Sequence, residues 1–237
     1  MPSEAPEVAI PVKPMPFRHG MPRLAGRLAG VGAIKVAALG SSTFAGEGGI
    51  VPMPQRLETA LRAYYPGRNF DVLNRGVGGE EAPVELRRMQ SDVIDERPSV
   101  VIWQVGTNAV WKKQDLDEVA RAIRQGLAML ADALVDIVVM DPQYVPQLLL
   151  PDKIAGAIRM VRLIEEAAAA ASVPVNIFKR FDLMRSQYEV ERISFDRVLD
   201  PNDFDRVHHS DWSVNRTAWL LADCMFNAVK ATPPAAA

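Results

Sequence analysis

The sequence predicts a single domain in which helices cover both faces of a parallel β-sheet. Five short, strongly apolar segments alternate along the chain with longer segments of helical periodicity. The apolar segments lack the polar–apolar alternation of a strand with one face in water, so both faces are expected to be buried, as in parallel sheets. A chain of 237 residues, 49% of them hydrophobic, can fill one large core, and no internal repeat is evident.

Each predicted strand is an apolar run that ends at glycine or at a polar turn. The strands are Ile34–Leu39, Phe70–Leu73, Ser99–Val105, Asp136–Met140 and Val173–Phe178. The intervening segments are predicted helices because their apolar residues recur every three or four positions. They cover residues 54–65, 83–95, 116–130, 154–171 and 181–188, and a closing helix covers 212–229. Right-handed crossovers then bring the carboxyl end of every strand to one edge.

The two ends of the chain are predicted to lie outside this domain, which spans residues 33–231. Residues 1–32 are rich in proline, which removes amide donors and disfavours helix, so they are expected to form an extended arm. Residues 232–237 are expected to be a frayed tail. Met1–Pro16 lacks the apolar centre of a signal peptide, and the compartment stays open.

The composition of the chain argues against several classes of binding partner. The net charge of −2 gives no electrostatic basis for binding nucleic acid or an anionic membrane, and no apolar run is long enough to span a bilayer. The single cysteine, Cys224, is predicted to be a small buried residue of the closing helix. No histidines and cysteines stand at metal-ligand spacing, so no Cys/His metal site is expected.

Polar turns that contain glycine follow the first three predicted strands and should therefore meet at one edge. They are Gly40-Ser41-Ser42, Gly76–Gly79 and Gly106-Thr107-Asn108. Acyl transfer needs a nucleophile and hydrogen-bond donors aimed at the developing oxyanion, which serine, backbone amides and an asparagine side chain supply. It also needs an imidazole base held by a carboxylate, and Asp205 and His208 stand three residues apart before the closing helix.

In order and spacing, these four blocks resemble those of the SGNH family, also called GDSL hydrolases. The resemblance covers the chain from about Gly40 to the closing helix and implies a flavodoxin-like three-layer α/β/α fold with strand order 2-1-3-4-5. The sequence departs from the family pattern at several positions. Ser41 and Thr43 replace the Asp and Leu of the Gly-Asp-Ser-Leu motif, and Ala109 stands where an Asp often follows the Asn.

Carried over residue by residue, the resemblance makes Ser42 the nucleophile, His208 the general base and Asp205 the residue that orients His208. The amides of Ser42 and Gly79 and the side chain of Asn108 would form the oxyanion hole. Neighbouring residues of the same type leave alternatives open. These are Ser41 as nucleophile, Gly78 as donor, His209 as base, Asp203 as carboxylate, and a local capping role for Asn108.

Aromatic residues near the same edge have different predicted roles. Trp111 and Tyr144 lie just beyond the third and fourth strands, where an aromatic face can stack on a sugar ring, so both are possible substrate contacts. Trp103 alternates inside the third strand and is predicted to belong to the core. Asp211 is predicted to cap the closing helix.

The resemblance implies a serine esterase that removes a small acyl group, with acetyl as the first candidate, from a carbohydrate or a small ester. Such an esterase requires neither a metal nor an organic cofactor, and its expected partner is a small-molecule or saccharide ester. An O-acyltransferase would use the same triad and differ only in the access of water to the acyl-enzyme. A non-catalytic carbohydrate-binding domain on the same scaffold is expected to lack a triad or oxyanion residue, and none is missing here.

Overall fold

The computed structural model describes residues 15–233, and its five strands form one all-parallel sheet. The strand order is β2-β1-β3-β4-β5, which is the order that the resemblance implies. The strands are β1 (Ile34–Gly40), β2 (Phe70–Gly76), β3 (Val100–Gln104), β4 (Asp136–Met140) and β5 (Val175–Phe178). The predicted fold class is confirmed.

Helices fill the connections between the strands. The described residues include α1 (Pro22–Ala29), α2 (Ser42–Ala45), α3 (Met53–Tyr64), α4 (Ala82–Met89), α5 (Thr107–Trp111), α6 (Leu116–Asp132), α7 (Ile154–Ala169), α8 (Arg180–Glu189), α9 (Phe195–Val198) and α10 (Asp211–Lys230). A π-helical turn, Gln90–Ile94, continues α4, and a 3-10 turn covers Pro146–Leu148. In residues 15–233, no helix is both long and apolar enough to cross a bilayer.

The central strands β1, β3 and β4 are buried on both faces, as their apolar sequences predict, whereas the edge strand β2 is partly exposed. Helices α4, α6 and α7 pack on one face, over side chains that include Val101, Trp103 and Val139. Helices α1, α3 and α10 pack on the other face. Trp103 belongs to the core as predicted, and Cys224 is also buried, which raises the pKa of its thiol to about 12.

Among the strand boundaries that differ from prediction, those of β2 and β5 have local reasons. Strand β2 continues to Gly76, which pairs with Gly40 at the end of β1. A Cβ at Gly76 would collide with the backbone nitrogen of Ala45, so glycine lets the end of β2 pass directly against α2. Strand β5 begins at Val175 rather than Val173, since Pro174 has no amide hydrogen to donate.

The prediction of an extended amino-terminal arm is wrong for residues 22–29, which form helix α1. Pro22 stands in the first turn, where an amide hydrogen has no partner within the helix. The Asp136 carboxylate accepts hydrogen bonds from the amides of Arg23 (3.2 Å) and Leu24 (2.8 Å). The Leu24 side chain is fully buried, so α1 is part of the body. Residues 1–14 of the predicted arm and 234–237 of the predicted tail lie outside the described residues.

The closing helix begins as a capped helix and ends beside α1. Ser210, not Asp211 as predicted, is the N-cap of α10, because the Ser210 side chain accepts a hydrogen bond from the Ser213 amide. Beyond the other end of α10, the Thr232 hydroxyl accepts a hydrogen bond from the Met21 amide (2.8 Å). The segment before α1 is therefore joined to the segment after α10.

Removing the Asp136 carboxylate is expected to destabilise the fold, because the first turn of α1 would lose its acceptor. The variant Asp136→Ala should lower the free energy of unfolding by about 1–2 kcal/mol, the usual cost of losing a helix cap. Urea unfolding followed by circular dichroism measures this change. Asp132→Ala, at an exposed position at the end of α6, is the control and should stay near wild type. Equal stability of the two variants would contradict the anchoring role.

Candidate active site

The turns after β1, β2 and β3 meet at the carboxyl edge of the sheet, where the sequence places them. The Val77 amide donates a hydrogen bond to the Gly40 carbonyl (2.9 Å), which joins the first turn to the second. The Asn108 side-chain amide donates to the Glu80 carbonyl (2.7 Å), which joins the second turn to the third. Asn108 thus spans two loops rather than capping its own.

The two adjacent serines have different surroundings. The Ser41 hydroxyl is buried and accepts a hydrogen bond from Gln104 Nε2 (3.2 Å). Ser42 begins α2 and lines a small pocket together with His208. Ser41 is therefore tied to the interior, whereas Ser42 borders a space next to an imidazole.

The His208 ring is held by Asp203, not by Asp205. Nδ1 of His208 lies 3.0 Å from Asp203 Oδ1, and Asp203 Oδ2 accepts hydrogen bonds from the amides of Val207 and His208, each at 2.7 Å. Asp205 is exposed, and its carboxylate makes no hydrogen bond or ion pair with any residue in 15–233. The predicted partner, Asp205, is therefore corrected to Asp203.

A tight turn explains why the carboxylate stands five residues before the imidazole. Arg206 adopts a left-handed backbone conformation with φ of 53°, which folds the segment back over Asp203. Burial acts to raise the pKa of Asp203, but hydrogen bonds from the His208 ring and from two amides outweigh it and hold the pKa below its usual range. Asp203 is thus ionised at neutral pH and can stabilise a positively charged imidazole.

Glu47 occupies the other side of the His208 ring. Nε2 of His208 lies 3.2 Å from Glu47 Oε2, and the second Glu47 oxygen packs against Gly78. A carboxylate has no proton to donate, so the two groups form an ion pair only when Nε2 of His208 carries a proton. While Glu47 lies beside Nε2, it occupies the side of the ring that would take the proton of Ser42. Glu47 therefore competes with Ser42 for the nitrogen that a base would use.

His209, the alternative base, has no carboxylate partner among residues 15–233. It borders the same pocket but is buried, and its Nδ1 lies 3.3 Å from the Ser213 hydroxyl. Burial lowers the pKa of His209 to about 3, and the charges of Arg180 and His208 contribute to the shift. The ring is neutral at physiological pH and has no group to stabilise an imidazolium.

The backbone amides among the candidate oxyanion donors have no hydrogen-bond acceptor within the part of the chain that the structure describes. The amides of Ser42, Gly78 and Gly79 donate no hydrogen bond there. Gly79 has φ of 78°, a conformation that favours glycine and that sets the direction of the neighbouring amides. The Asn108 side chain uses one of its two amide hydrogens on Glu80 and keeps the second for another acceptor. Gly78 and Gly79 both remain candidate donors.

Two buried glutamates that the sequence did not single out lie behind these donors. Glu81 Oε1 accepts a hydrogen bond from the Gly106 amide (2.8 Å), and Oε2 accepts one from the Ala109 amide (3.0 Å). Glu85, one turn further along α4, accepts a hydrogen bond from Trp103 Nε1 (2.7 Å). Burial raises the pKa of both, although backbone amides oppose the rise at Glu81. The negative charge of Glu81 raises the pKa of Glu85 further, so the pKa of Glu85 is raised more than that of Glu81.

Of the two aromatic residues predicted near substrate, only Trp111 contacts a proposed catalytic residue. Its ring stands edge-on to the His208 ring, with centroids 6.5 Å apart and planes at 86°. The Tyr144 hydroxyl donates to Glu189 (3.0 Å), and no Tyr144 contact is with Ser42 or His208. Tyr144 instead joins an aromatic cluster with Phe181, Tyr188 and Phe195. Among residues 15–233, no three His, Cys, Asp or Glu side chains are placed to hold a metal ion.

Comparisons of sequence relate the chain to one protein family and to one relative. Residues 7–228 match the family model of the Non-GDSL lipase-like family. A segment of 95 residues is 28% identical to an acetylxylan esterase from Geobacillus stearothermophilus, over 36% of this chain and 43% of that protein. The match thus spans less than half the length of this relative.

Comparisons of structure agree on the fold. A catalytic mutant of Axe2, an acetylxylan esterase from Geobacillus stearothermophilus, superposes with a TM-score of 0.65 at 18% identity, over 84% of this chain and 95% of that chain. A lipase/acylhydrolase from Enterococcus faecalis superposes with a TM-score of 0.65 at 19% identity, over 82% and 96% of the two chains. At such identities the similarity establishes a shared fold.

The two neighbouring aspartates provide a matched test of the His208 contact. Asp203→Asn is expected to lower kcat for ester hydrolysis by about 10⁴-fold, because an amide can leave the imidazole in the wrong tautomer and cannot stabilise its positive charge. Asp205→Asn should stay within about threefold of wild type, since its carboxylate contacts nothing in the described chain. Steady-state kinetics on p-nitrophenyl acetate measure both variants. The reverse ranking would show that Asp205 is the functional carboxylate.

Proposed function

Because the chain belongs to the Non-GDSL lipase-like family, we propose that it is a serine esterase that removes a small acyl group from a hydroxyl of a saccharide or a small molecule. Ser42 is the nucleophile, His208 the general base and Asp203 the carboxylate that orients the ring. One observation supports this assignment above all. Ser42 and His208 border the same pocket, while Asp203 holds the opposite nitrogen of the imidazole at 3.0 Å.

In the first half of the reaction, Ser42 Oγ attacks the ester carbonyl carbon and its proton passes to His208 Nε2. This step requires Glu47 to leave Nε2, since the same nitrogen lies 3.2 Å from Glu47 in the resting arrangement. The ionised Asp203 then stabilises the imidazolium. The carbonyl oxygen, now negative, accepts hydrogen bonds from the Ser42 and Gly79 amides and from Asn108.

In the second half, the bond between the acyl carbon and the alcohol oxygen breaks, and His208 returns its proton to the leaving alcohol. Water then attacks the acyl carbon while His208 takes a proton from it, and the C–O bond to Ser42 breaks as His208 returns that proton to Ser42 Oγ, which releases the acid and restores the enzyme. Every proton transfer uses the same imidazole nitrogen, Nε2 of His208. The reaction therefore depends on the same geometry in both halves.

A short acyl group fits the pocket beside Ser42 best. The pocket is small and has the apolar side chains of Ile50 and Val214 in its wall. Similarity to an acetylxylan esterase makes acetyl the first acyl group to test and an acetylated xylo-oligosaccharide the first saccharide. Trp111 lies beside the imidazole and offers an edge or a face to the alcohol part of the substrate.

The nucleophile is tested by comparing the two serines. Wild type should hydrolyse p-nitrophenyl acetate faster than butyrate, and butyrate faster than octanoate, because the acyl pocket is small. Ser42→Ala should lower kcat by about 10³-fold or more, the scale seen when a triad is broken. Ser41→Ala should lower kcat by less than about tenfold, since the Ser41 hydroxyl is hydrogen-bonded to Gln104 in the interior. Activity that survives Ser42→Ala, or a wild type inactive on all three esters and on acetylated xylo-oligosaccharides, would contradict the esterase proposal.

Substitution of Glu47 is expected to raise the esterase activity, whereas the substitutions above are expected to lower it. Glu47→Gln should raise kcat/KM on p-nitrophenyl acetate by about two- to tenfold at neutral pH, because a neutral amide competes less well than a carboxylate for a protonated imidazole. The same measurement on Glu118→Gln, which removes an exposed carboxylate of α6, controls for net charge and should match wild type. A fall in kcat/KM for Glu47→Gln would mean that Glu47 assists the reaction rather than competing with it.

A further inference from the structure

Glu81 is an ionisable side chain in a place where a charge is costly. It is only 3% exposed, and it directly follows the Gly78-Gly79-Glu80 turn as the N-cap of α4. Its Oε1 accepts a hydrogen bond from the Ala82 amide (3.0 Å), which satisfies one amide at the start of that helix. Ser, Thr, Asp or Asn is the usual residue at an N-cap. A longer side chain is needed here only because Glu81 also reaches a second loop.

That second loop contains the candidate oxyanion donor Asn108. The two oxygens of Glu81 accept hydrogen bonds from the amides of Gly106 (2.8 Å) and Ala109 (3.0 Å), which flank Thr107 and Asn108. The carboxylate thus holds the backbone on both sides of Asn108. Since Glu81 stands two residues after Gly79, the same side chain fixes how far the Gly79 amide lies from the Asn108 side chain.

The surroundings of the two loops support this role of Glu81. The Asn108 side chain donates back to the Glu80 carbonyl (2.7 Å), and the Lys112 ammonium donates to the Gly79 carbonyl (2.8 Å). These contacts turn the carbonyls of Gly79 and Glu80 toward the third loop. Of the residues that the structure describes, Glu81 alone contributes a buried carboxyl group to this junction, and an unpaired carboxylate there would be strongly disfavoured. The hydrogen bonds that Glu81 accepts from the Gly106 and Ala109 amides must therefore both be kept.

We propose that Glu81 is a positioning residue for the oxyanion hole, and that its carboxylate sets the distance between the Gly79 amide and the Asn108 side chain. The inference rests on the proposed esterase function. Glu81 touches neither substrate nor the reacting atoms and acts through the two donors it holds. Replacing it should therefore impair the transition state, in which the oxygen is negative, far more than it impairs substrate binding.

The experiment compares two buried glutamates of the same helix. Glu81→Gln places an amide group against one of the two loop amides and should lower kcat on p-nitrophenyl acetate by about 10- to 100-fold, with KM changed by less than about threefold. Complete removal of one oxyanion donor costs about 10²- to 10³-fold, and a misplaced donor should cost less. Glu85→Gln, which is equally buried but contacts Trp103 instead of a loop, should stay within about threefold in kcat. Thermal unfolding of each variant monitors the fold.

A double substitution separates positioning from general damage. In the Asn108→Ala background, Glu81→Gln should cost several-fold less than it costs alone, because one of the donors it positions is already missing. Should Glu81→Gln not fold, Glu81→Asp keeps the charge but is one methylene too short to reach both loops. It should show the same loss of kcat and the same dependence on Asn108.

Three results would overturn the inference: wild-type kcat for Glu81→Gln, an equal loss of kcat in Glu85→Gln, or full additivity with Asn108→Ala. Failure of the esterase proposal is recognised separately. It appears in the wild-type background, as hydrolysis that survives Ser42→Ala.

Discussion

Parallel pairing of five strands is the constraint on which the rest of the molecule depends. Because every strand points the same way, every strand ends at the same edge, and the turns after β1, β2 and β3 are brought together there. Gly76 lets β2 end in contact with α2, which places the second turn beside Ser42. The topology of the sheet thus makes the proposed nucleophile and oxyanion donors neighbours, independently of any side-chain contact.

Buried charges then hold these turns in place. Glu81 joins the second turn to the third, and Arg180 joins the third to the end of β4. Its guanidinium donates to the Thr107 hydroxyl (3.3 Å) and to the Asp141 carbonyl (3.1 Å). Burial raises the pKa of Asp141 to about 7 and lowers that of Arg180 to about 10. Such groups contribute little to net stability, and they restrict the loops because each has few ways to be satisfied in the interior.

The sequence predicted the fold and the neighbourhood of the site because both follow from local patterns. Apolar runs of strand length defined the sheet, and glycines marked the turns where backbone lies close to backbone. The choice between Asp203 and Asp205 needed the left-handed turn at Arg206, which short-range propensity does not indicate. Glu47 and Glu81 were missed for a similar reason, since their partners are on other loops. Helix α1 was missed because its capping carboxylate, Asp136, lies more than a hundred residues away.

The hydrogen bond between Met21 and Thr232 indicates where a bulky group can be attached without covering the candidate active site. Asp136, which caps α1, is the first residue of β4, so α1 lies at the amino edge of the sheet, opposite Ser42 and His208. The segment before α1 and the segment after α10 meet near this edge, at a shared hydrogen bond. A bulky group attached to the side chain of a residue at this junction would therefore lie on the side of the sheet opposite Ser42 and His208, and would leave the approach to the candidate site open.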